Sequence, residues 1–290
     1  MKIFKPAYWQ EYEIIDSGNF KKLERFGDII TIRPEPQAVW DSSMTYEEWK
    51  KIASVEYIPI NSNSGKWEKY KSIPDNWFIS YNINGSNEKK LNFKLALTSF
   101  KHIGLFPEQA VNWEFIYNEC ITLHEPKVLN LFAYTGVASI VAAYAKAKVT
   151  HVDSVKQIIN WAAYNAKLNN IDSIRWIVDD AVKFVNREIR RGNRYHGIIL
   201  DPPAFGHGPS GENWKLERDI NKLLKSLEKI RSEDNFFLVL NVYSLGFSAL
   251  VLENLIKTIF NPKQYDFGEL FVEDKWKKKL PLGIFVQLKT

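Results

Sequence analysis

Residues 128–139, VLNLFAYTGVAS, indicate how the larger part of this chain folds. Val128 to Phe132 is a short apolar run that ends at the turn Ala133-Tyr134-Thr135-Gly136 and leads directly into the small-residue segment 137–147. This order predicts a buried strand, a tight turn and a helix. Strand–turn–helix is the repeating unit of a doubly wound α/β sheet, in which ligands bind at the carboxyl ends of the strands.

The alternation of strand-like and helical segments continues after residue 139. It predicts a doubly wound, Rossmann-like, mostly parallel seven-stranded sheet with helices on both faces. The predicted strands are 128–133, 149–152, 174–178, 196–200, 236–242, 265–272 and 283–288. The predicted helices are 137–147, 155–169, 180–191, 214–231 and 248–260. We expect the last two strands to form a hairpin.

Residues 1–100 have a different pattern, with short extended runs separated by turn residues. They predict a smaller, mostly β N-terminal domain, in which Asn84-Gly85 marks a hairpin and one short helix starts at Thr45. A helix that begins at Pro107 connects it to the sheet. We therefore expect two domains, 1–100 and 101–290.

The composition is that of a globular protein: 290 residues, 45% of them hydrophobic and 25% charged, with a net charge of +5. Two basic clusters have two interpretations each, a solvated surface or contacts with phosphates. The clusters are Arg187, Arg190, Arg191 and Arg194, and Lys275, Lys277, Lys278 and Lys279.

The single cysteine, Cys120, excludes an internal disulfide and fits a reducing compartment. The first residues, MKIFKPAYWQEYEI, have no apolar core of the signal-peptide type, and no run reaches the ~18 apolar residues of a membrane span. The five histidines lack metal-ligand spacing. We expect a cytoplasmic protein without membrane attachment or bound metal.

The first two strand ends favour a ligand without a pyrophosphate. The turn at 133–136 has one glycine, Gly136, whereas the dinucleotide fingerprint G-x-G-x-x-G needs three. The following helix N-terminus would still favour an anion such as a carboxylate. Asp153, which ends the second strand, is placed to accept two ribose hydroxyls or to cap the helix near Val155.

The next two strand ends carry further acidic residues. In Asp179-Asp180-Ala181, Asp180 can cap a helix or accept a hydrogen bond from an adenine amino group, and the sequence leaves both open. The segment Asp201-Pro202-Pro203-Ala204-Phe205-Gly206 is more specific, because two prolines make a rigid extended elbow that holds Asp201 at the sheet edge. Phe205 offers a stacking surface for a planar base. Gly206, Gly208 and Gly211 indicate a loop able to close over a substrate.

Together these motifs resemble the class I S-adenosylmethionine-dependent methyltransferases. VLNLFAYTGVAS resembles their first motif, HVDSVKQIINWAAYNA the second, IVDDAVKFV the third and ILDPPAFG the fourth. The DPP-x-F form, with GLFPEQAVNW upstream, is similar to the branch that contains bacterial 23S ribosomal RNA methyltransferases. The resemblance implies S-adenosylmethionine as cofactor and ribosomal RNA as partner.

The resemblance also implies roles for individual residues. The turn from Asn130 to Gly136 would hold the methionine part of the cofactor, Asp153 the ribose and Asp180 the adenine amino group. The implied cofactor-binding residues are Phe106, Gln109, Asn130, Phe132, Ala133, Tyr134, Thr135, Gly136, Asp153, Ser154, Asp179, Asp180, Ala181 and Asp201. The implied acceptor pocket is formed by Asp201, Pro202, Pro203 and Phe205. Asn241 and Tyr243, at the end of the fifth strand, are candidates for further hydrogen bonds.

One departure from the family pattern bears on the chemistry. The cytosine-C5 members of this branch carry a nucleophilic cysteine just after strand five, whereas residues 240–244 here read LNVYS. Cys120 lies before strand one and is expected in the core. Because C5 methylation needs a thiolate that adds to the ring, the sequence predicts direct in-line transfer to a nitrogen or oxygen. Asp201 would orient an exocyclic amine or accept its proton.

Three alternatives remain open from the sequence. The chain can methylate a protein or small molecule, in which case its binding to RNA would be weak and insensitive to salt. It can be a nicotinamide-dependent oxidoreductase, which the missing glycine fingerprint argues against. It can also be a non-catalytic RNA-binding module, which would bind RNA without methyl transfer.

Overall fold

The computed structural model describes residues 1–61, 64–243 and 246–290. In chain order its strands are β1 (Lys2–Phe4), β2 (Tyr12–Gly18), β3 (Lys21–Phe26), β4 (Ile29–Pro34), β5 (Val55–Asn61), β6 (Ser64–Lys69), β7 (Asn76–Asn82), β8 (Lys90–Ala96), β9 (Lys127–Leu131), β10 (Lys148–Asp153), β11 (Arg175–Val178), β12 (Gly197–Leu200), β13 (Phe205–His207), β14 (Asn213–Lys215), β15 (Phe237–Val242), β16 (Gln264–Glu273) and β17 (Lys279–Lys289). Its α-helices are α1 (Tyr46–Ile52), α2 (Ala110–Ile121), α3 (Val137–Tyr144), α4 (Lys156–Leu168), α5 (Ala181–Arg191), α6 (Leu216–Glu228) and α7 (Ala249–Phe260). Ser244, the last residue of the cysteine-free segment, lies outside the described ranges.

The chain packs as two units. The parallel-sheet unit contains Met1–Phe4, Gln109–Leu270 and Gly283–Thr290. The antiparallel unit contains Lys5–Glu108 and Phe271–Leu282. The predicted boundary between two domains at residue 100 stays a prediction.

The parallel-sheet unit is built on a sheet whose strand order is β1-β16-β17-β15-β12-β9-β10-β11. The predicted α/β, mostly parallel architecture is confirmed, and in the described ranges the sheet has eight strands where seven were predicted. The additional strand is β1, which pairs in parallel with β16. Three residues are too short a run to show a strand pattern in sequence. Strand β17 is antiparallel to β15.

The two faces of this sheet differ in polarity. Alternate residues of the strands, such as Leu129, Leu200 and Leu240, pack against helices α5, α6 and α7 in one apolar core. Because side chains alternate between faces, Asn130 and Asn241 lie on the opposite face. The side chain of Asn130 bonds to α3 on this second face. The polar residues of the central strands are therefore concentrated on one side of the sheet.

The antiparallel unit contains a five-stranded sheet, β2-β3-β4-β5-β6, and a two-stranded sheet, β7-β8. Leu23, Ile32 and Trp49 are buried between the larger sheet and α1. The predicted helix start at Thr45 is confirmed, since Thr45 and Glu48 form a reciprocal capping box. The hairpin predicted at Asn84-Gly85 is also confirmed, although its loop is longer than two residues because Asn82 pairs with Lys90.

Candidate active site

Five parallel strands end along one edge of the parallel-sheet unit. The neighbouring pairs β11–β10, β10–β9, β9–β12 and β12–β15 are all parallel. Their last residues are Val178, Asp153, Leu131, Leu200 and Val242. Every predicted site residue except Phe106 belongs to this unit. Phe106 belongs to the antiparallel unit, where the centroids of its ring and the His102 ring lie 5.1 Å apart. The role of Phe106 in cofactor binding stays a prediction.

The turn after β9 holds three residues in the left-handed conformation. Phe132, Tyr134 and Gly136 have φ angles of 54°, 48° and 86°. For a bulky residue this conformation is an outlier that costs on the order of 1–3 kcal/mol, and such strain clusters at ligand sites. The sequence predicted a tight turn here, and the structure shows that Gly136 is needed in it, since an added Cβ would lie 2.8 Å from Cβ of Ala162. The sequence could not predict the strain at two aromatic residues that normally avoid this conformation.

Buried hydrogen bonds brace this turn from the core side. The Asn130 amide donates to Oγ of Ser139 at 2.9 Å, and that hydroxyl is hydrogen-bonded to Nδ1 of His151 at 3.0 Å. The Asn165 amide donates to the carbonyl of Thr135 at 3.0 Å. Burial lowers the pKa of His151 to about 3, so the imidazole is neutral at neutral pH. The predicted cofactor contacts of Asn130 and Thr135 stay predictions, and their observed role is to support the turn.

Asp153 is oriented by backbone donors from both sides. Its two carboxylate oxygens accept the N–H of Tyr134 at 2.9 Å and the N–H of Val155 at 3.0 Å. Burial raises the pKa of Asp153, while backbone hydrogen bonds from Val155, Tyr134 and Ser154 lower it. The cap of α4 is Val155, so Asp153 is not the N-cap. Ala133 is held alongside, because its N–H donates to the carbonyl of Val152 at 3.2 Å.

The two acidic residues after β11, Asp179 and Asp180, both bond to other groups of the protein. Asp180 is the N-cap of α5, which begins at Ala181, and its side chain accepts the N–H of Lys183 at 2.8 Å. Asp179 accepts the N–H of Asp180 at 2.9 Å and forms an ion pair with Arg187. Of the two interpretations left open for Asp180, capping is therefore observed, and adenine binding stays a prediction.

The elbow after β12 leads into a short hairpin, with Gly206 on its first strand and Gly208 and Gly211 in the loop between its strands. Strand β13 pairs with β14. Trp214 is buried and donates from Nε1 to the carbonyl of Pro203 at 2.7 Å. Its ring packs against that of Phe132 in a tilted arrangement, with centroids 4.9 Å apart. Pro202 is buried and Pro203 is exposed. Phe205 is 68% exposed, and the Lys215 ammonium lies 5.7 Å from its ring centroid.

Two amides from different elements hold the carboxylate of Asp201. The Asn241 amide donates to Oδ1 at 2.9 Å, and the Gln109 amide donates to Oδ2 at 3.3 Å. Burial raises the pKa of Asp201 to about 6, against the lowering effect of the Asn241 hydrogen bond. The residue keeps part of its surface exposed. It is therefore a carboxylate of elevated basicity that is still ionised at neutral pH.

The side-chain amide of Asn241 also carries an oxygen, which takes no part in the bond to Asp201. Its oxygen is buried and has no hydrogen-bond partner among the described residues. Gly283 on β17 lies beside it, and an added Cβ there would approach this oxygen to 3.3 Å. A buried polar atom without a partner costs about 1–3 kcal/mol, which is one expected feature of an acceptor site. Tyr243, the next candidate along the chain, is 37% exposed.

Sequence reasoning missed three residues that support this edge. Trp214 has no motif that distinguishes it from the other tryptophans, since its role depends on the hairpin. Asn112 and Gln287 are buried and are linked to Asp201 through Gln109. Gln287 could have been found, because it is the one polar residue in the apolar run GIFVQL.

Most members of the two basic clusters have internal partners. Arg187 pairs with Asp179, Arg191 pairs with Glu188, and Arg194 donates to the carbonyl of Lys229. In the second cluster, the ion pairs are Lys275–Glu13, Lys277–Glu273 and Lys278–Asp16. These contacts favour the interpretation of both clusters as structural surface.

Two features are absent from residues 1–61, 64–243 and 246–290. No group of three or more His, Cys, Asp or Glu side chains there is arranged to bind a metal ion. None of the helices in the same ranges has the length and hydropathy to span a bilayer.

The fold and the strand-end site define a class of protein, the cofactor-dependent methyltransferases with a doubly wound sheet. Residues 75–258, more than half of the chain, match the model of the S-adenosylmethionine-dependent methyltransferase family. The chain belongs to this family, its cofactor is S-adenosylmethionine, and it is an enzyme of the methyltransferase class. The nicotinamide-dependent alternative is thereby excluded.

A solved methyltransferase structure has a similar fold over the whole length of this chain. The S-adenosylmethionine-dependent methyltransferase from Agrobacterium tumefaciens is 35% identical, with a TM-score of 0.92, and the alignment covers 100% of this chain and 93% of that one.

Two curated relatives are named ribosomal RNA large subunit methyltransferase K/L. The protein from Pseudoalteromonas atlantica is 34% identical over 49% of this chain, and that from Buchnera aphidicola is 26% identical over 86% of it. The chain spans only 20% and 42% of the length of these two relatives.

Proposed function

We propose that the chain methylates an exocyclic amino group of a base in large-subunit ribosomal RNA. The names of the curated relatives support the RNA class of the acceptor. The observation that carries the chemistry is the pair of hydrogen-bond acceptors formed by Asp201 and the unpartnered amide oxygen of Asn241.

This pair suits a group that carries two hydrogens. Each oxygen of Asp201 already accepts one amide hydrogen and retains capacity for another, and the Asn241 oxygen is unused. An exocyclic NH₂ can donate one hydrogen to each residue, which orients its nitrogen. With a pKa of about 6, Asp201 is ionised at pH 7.5 and can accept the proton that the nitrogen loses.

The cofactor-binding roles proposed here rest on the first two strand ends. When bound, S-adenosylmethionine supplies a methyl group on a positively charged sulfur. The strained turn from Phe132 to Gly136 is held in a conformation that a free chain would avoid, and Asp153 is a preoriented carboxylate. We assign the methionine part to the turn and the ribose hydroxyls to Asp153.

Direct transfer is supported by the state of the only cysteine. Cys120 is fully buried, and burial raises the pKa of its thiol to about 12. The thiol is therefore protonated at neutral pH and cannot supply the thiolate that a C5 mechanism needs. Positioning of the amine in line with the methyl group would provide much of the rate, as much as ~7–11 kcal/mol in favourable systems.

The exposed ring of Phe205 supports recognition of a base that has left its helix. Flipping costs a few kcal/mol, and stacking on an aromatic ring returns about 1–3 kcal/mol. We assign transfer to residues 101–290 and substrate contact to residues 1–100. A ribosomal substrate implies a cytoplasmic location.

The experiment compares nucleoside modifications in large-subunit ribosomal RNA from cells with and without this gene. We expect one N-methylated base to disappear in its absence and to return with the intact gene but not with an Asp201→Asn variant. An unchanged modification pattern would contradict the RNA substrate and favour a protein or small molecule as acceptor.

A further inference from the structure

Two amide side chains are buried in the parallel-sheet unit without a role in the proposed chemistry. Asn112 on α2 is 1% exposed, and Gln287 on β17 is 6% exposed. A buried amide that lacks partners destabilises the fold, and an apolar side chain of similar size would fill either position without that cost. Their neighbours in sequence, Trp113 and Val286, are buried and apolar.

These two side chains form a continuous chain of hydrogen bonds to Asp201. The Gln287 amide donates to Oδ1 of Asn112 at 2.8 Å. The Asn112 amide donates to Oε1 of Gln109 at 2.7 Å, and the Gln109 amide donates to Oδ2 of Asp201 at 3.3 Å. We call Gln287, Asn112 and Gln109 the amide relay.

Asp201, at the end of the amide relay, sets the direction of every hydrogen bond in it. An ionised carboxylate only accepts hydrogen bonds, so Gln109 must present its NH₂ group to Asp201. Its oxygen then faces Asn112, which must donate, and the oxygen of Asn112 faces the NH₂ group of Gln287. A Gln109 without Asn112 would be free to turn its oxygen toward Asp201, and that arrangement disfavours the ionised carboxylate.

The sheet brings the other partner of Asp201 to the same side. Gln287 pairs with Val239 across β15 and β17, and Asn241 lies two residues beyond Val239. Residues opposite one another, and residues two apart, share a face of the sheet. Asn241 and Gln287 therefore lie on one face, and Asp201 receives one amide directly from β15 and one through the relay.

We propose that Asn112 and Gln287 are positioning residues, which hold Gln109 in the one orientation that donates to Asp201. The carboxylate is thereby fixed in rotation, and one lone pair on each oxygen stays available to the acceptor amine. This inference rests on the proposed role of Asp201 as the group that binds the acceptor.

The test uses the full-length double variant Asn112→Leu with Gln287→Leu. Both substitutions are neutral, so no new charge acts on Asp201, and replacing both amides of a buried pair by apolar groups is often close to neutral for stability. The matched control is Asn118→Leu on the exposed side of the same helix α2.

The primary measurement needs no substrate. The titration of Asp201 is followed by the carboxyl carbon signal of ¹³C-labelled aspartate, identified by its loss in Asp201→Asn. We expect the midpoint to rise by about one pH unit in the double variant, since a hydrogen bond to a charged group is lost, and to stay unchanged in Asn118→Leu. If the double variant does not fold, Gln109→Leu removes the same donor from a partly exposed position.

The secondary measurements use the S-adenosylmethionine affinity and the turnover. The affinity should stay within about twofold, while kcat falls about tenfold and the acidic limb of its pH profile moves to higher pH. A folded double variant with an unchanged Asp201 titration would overturn the positioning role. Failure of transfer to RNA by the wild type would contradict the proposed substrate but leave the titration result intact.

Discussion

Asp201 is the residue where burial, hydrogen bonding and the proposed chemistry meet. Its pKa is raised to about 6, so its ionised form is present at neutral pH and disappears on acidification. If ionised Asp201 binds the amine and accepts its proton, kcat/KM should fall about tenfold for each pH unit below about 6, because kcat/KM reports the pKa of the free enzyme.

Substitution of the same residue separates chemistry from cofactor binding. Asp201→Asn keeps the size of the side chain and removes its charge, so we expect kcat to fall by at least about 100-fold. The S-adenosylmethionine dissociation constant, measured by calorimetry, should change by less than about twofold. Turnover near that of the wild type would remove Asp201 from the mechanism.

Asp153 should show the opposite behaviour. Loss of its carboxylate in Asp153→Ala removes hydrogen bonds to the ribose, so S-adenosylmethionine should bind about 10-fold to 100-fold more weakly. Asp153→Asn is the control for shape, because it can still accept the N–H of Tyr134. An unchanged dissociation constant in the folded alanine variant would contradict the assignment.

The buried imidazole of His151 should make the stability of the protein depend on pH. In the folded protein its pKa is about 3, below the usual 6.5, so the unfolded chain binds a proton first as the pH falls. The stability that the neutral histidine contributes is complete above 6.5 and is lost between 6.5 and about 3. Between pH 7 and 5, the free energy of unfolding should drop about 2 kcal/mol more in the wild type than in His151→Gln. If the urea midpoints of the wild type and of His151→Gln change equally with pH, this expectation is wrong.

At the scale of elements, the turn between β9 and α3 shows what a sequence pattern can predict. The order of strand, turn and helix followed from residue types. The left-handed backbone at Phe132 and Tyr134 did not, because surrounding hydrogen bonds and the packing of Trp214 impose it against local preference. Strand β3, KKLERF, has no apolar alternation in its sequence for a related reason: Lys22 and Glu24 are buried, and ion pairs compensate their charges.

A pair of glycine variants tests the packing of this turn. Gly192 has a φ of 68° and open space around an added Cβ, so Gly192→Ala should cost about 1 kcal/mol for backbone conformation alone. Gly136 has a φ of 86°, and its added Cβ would meet Ala162 at 2.8 Å. Gly136→Ala should therefore cost about 1–3 kcal/mol more than Gly192→Ala in urea unfolding. Equal costs would show that the turn can move away from α4.

At the scale of the whole molecule, the strand-end motifs identified the family, and the full-length match with the Agrobacterium methyltransferase agrees. The candidate site was predictable where residues lie at strand ends, as Asp153 and Asp201 do. Asn112 and Gln287 could not be assigned to it, because their link to Asp201 exists only after α2 and β17 pack on the same sheet face. The acceptor is likewise not encoded in any one motif.

We propose methyl transfer to an exocyclic amine of large-subunit ribosomal RNA. The most direct measurement incubates the purified chain with S-adenosylmethionine labelled in the methyl group and ribosomal RNA from cells that lack the gene, followed by mass analysis of the nucleosides. We expect one labelled base methylated on an exocyclic nitrogen, and no label with Asp201→Asn. Label on a ring carbon such as C5 of cytosine, or no label in RNA when the protein binds the cofactor, would contradict it.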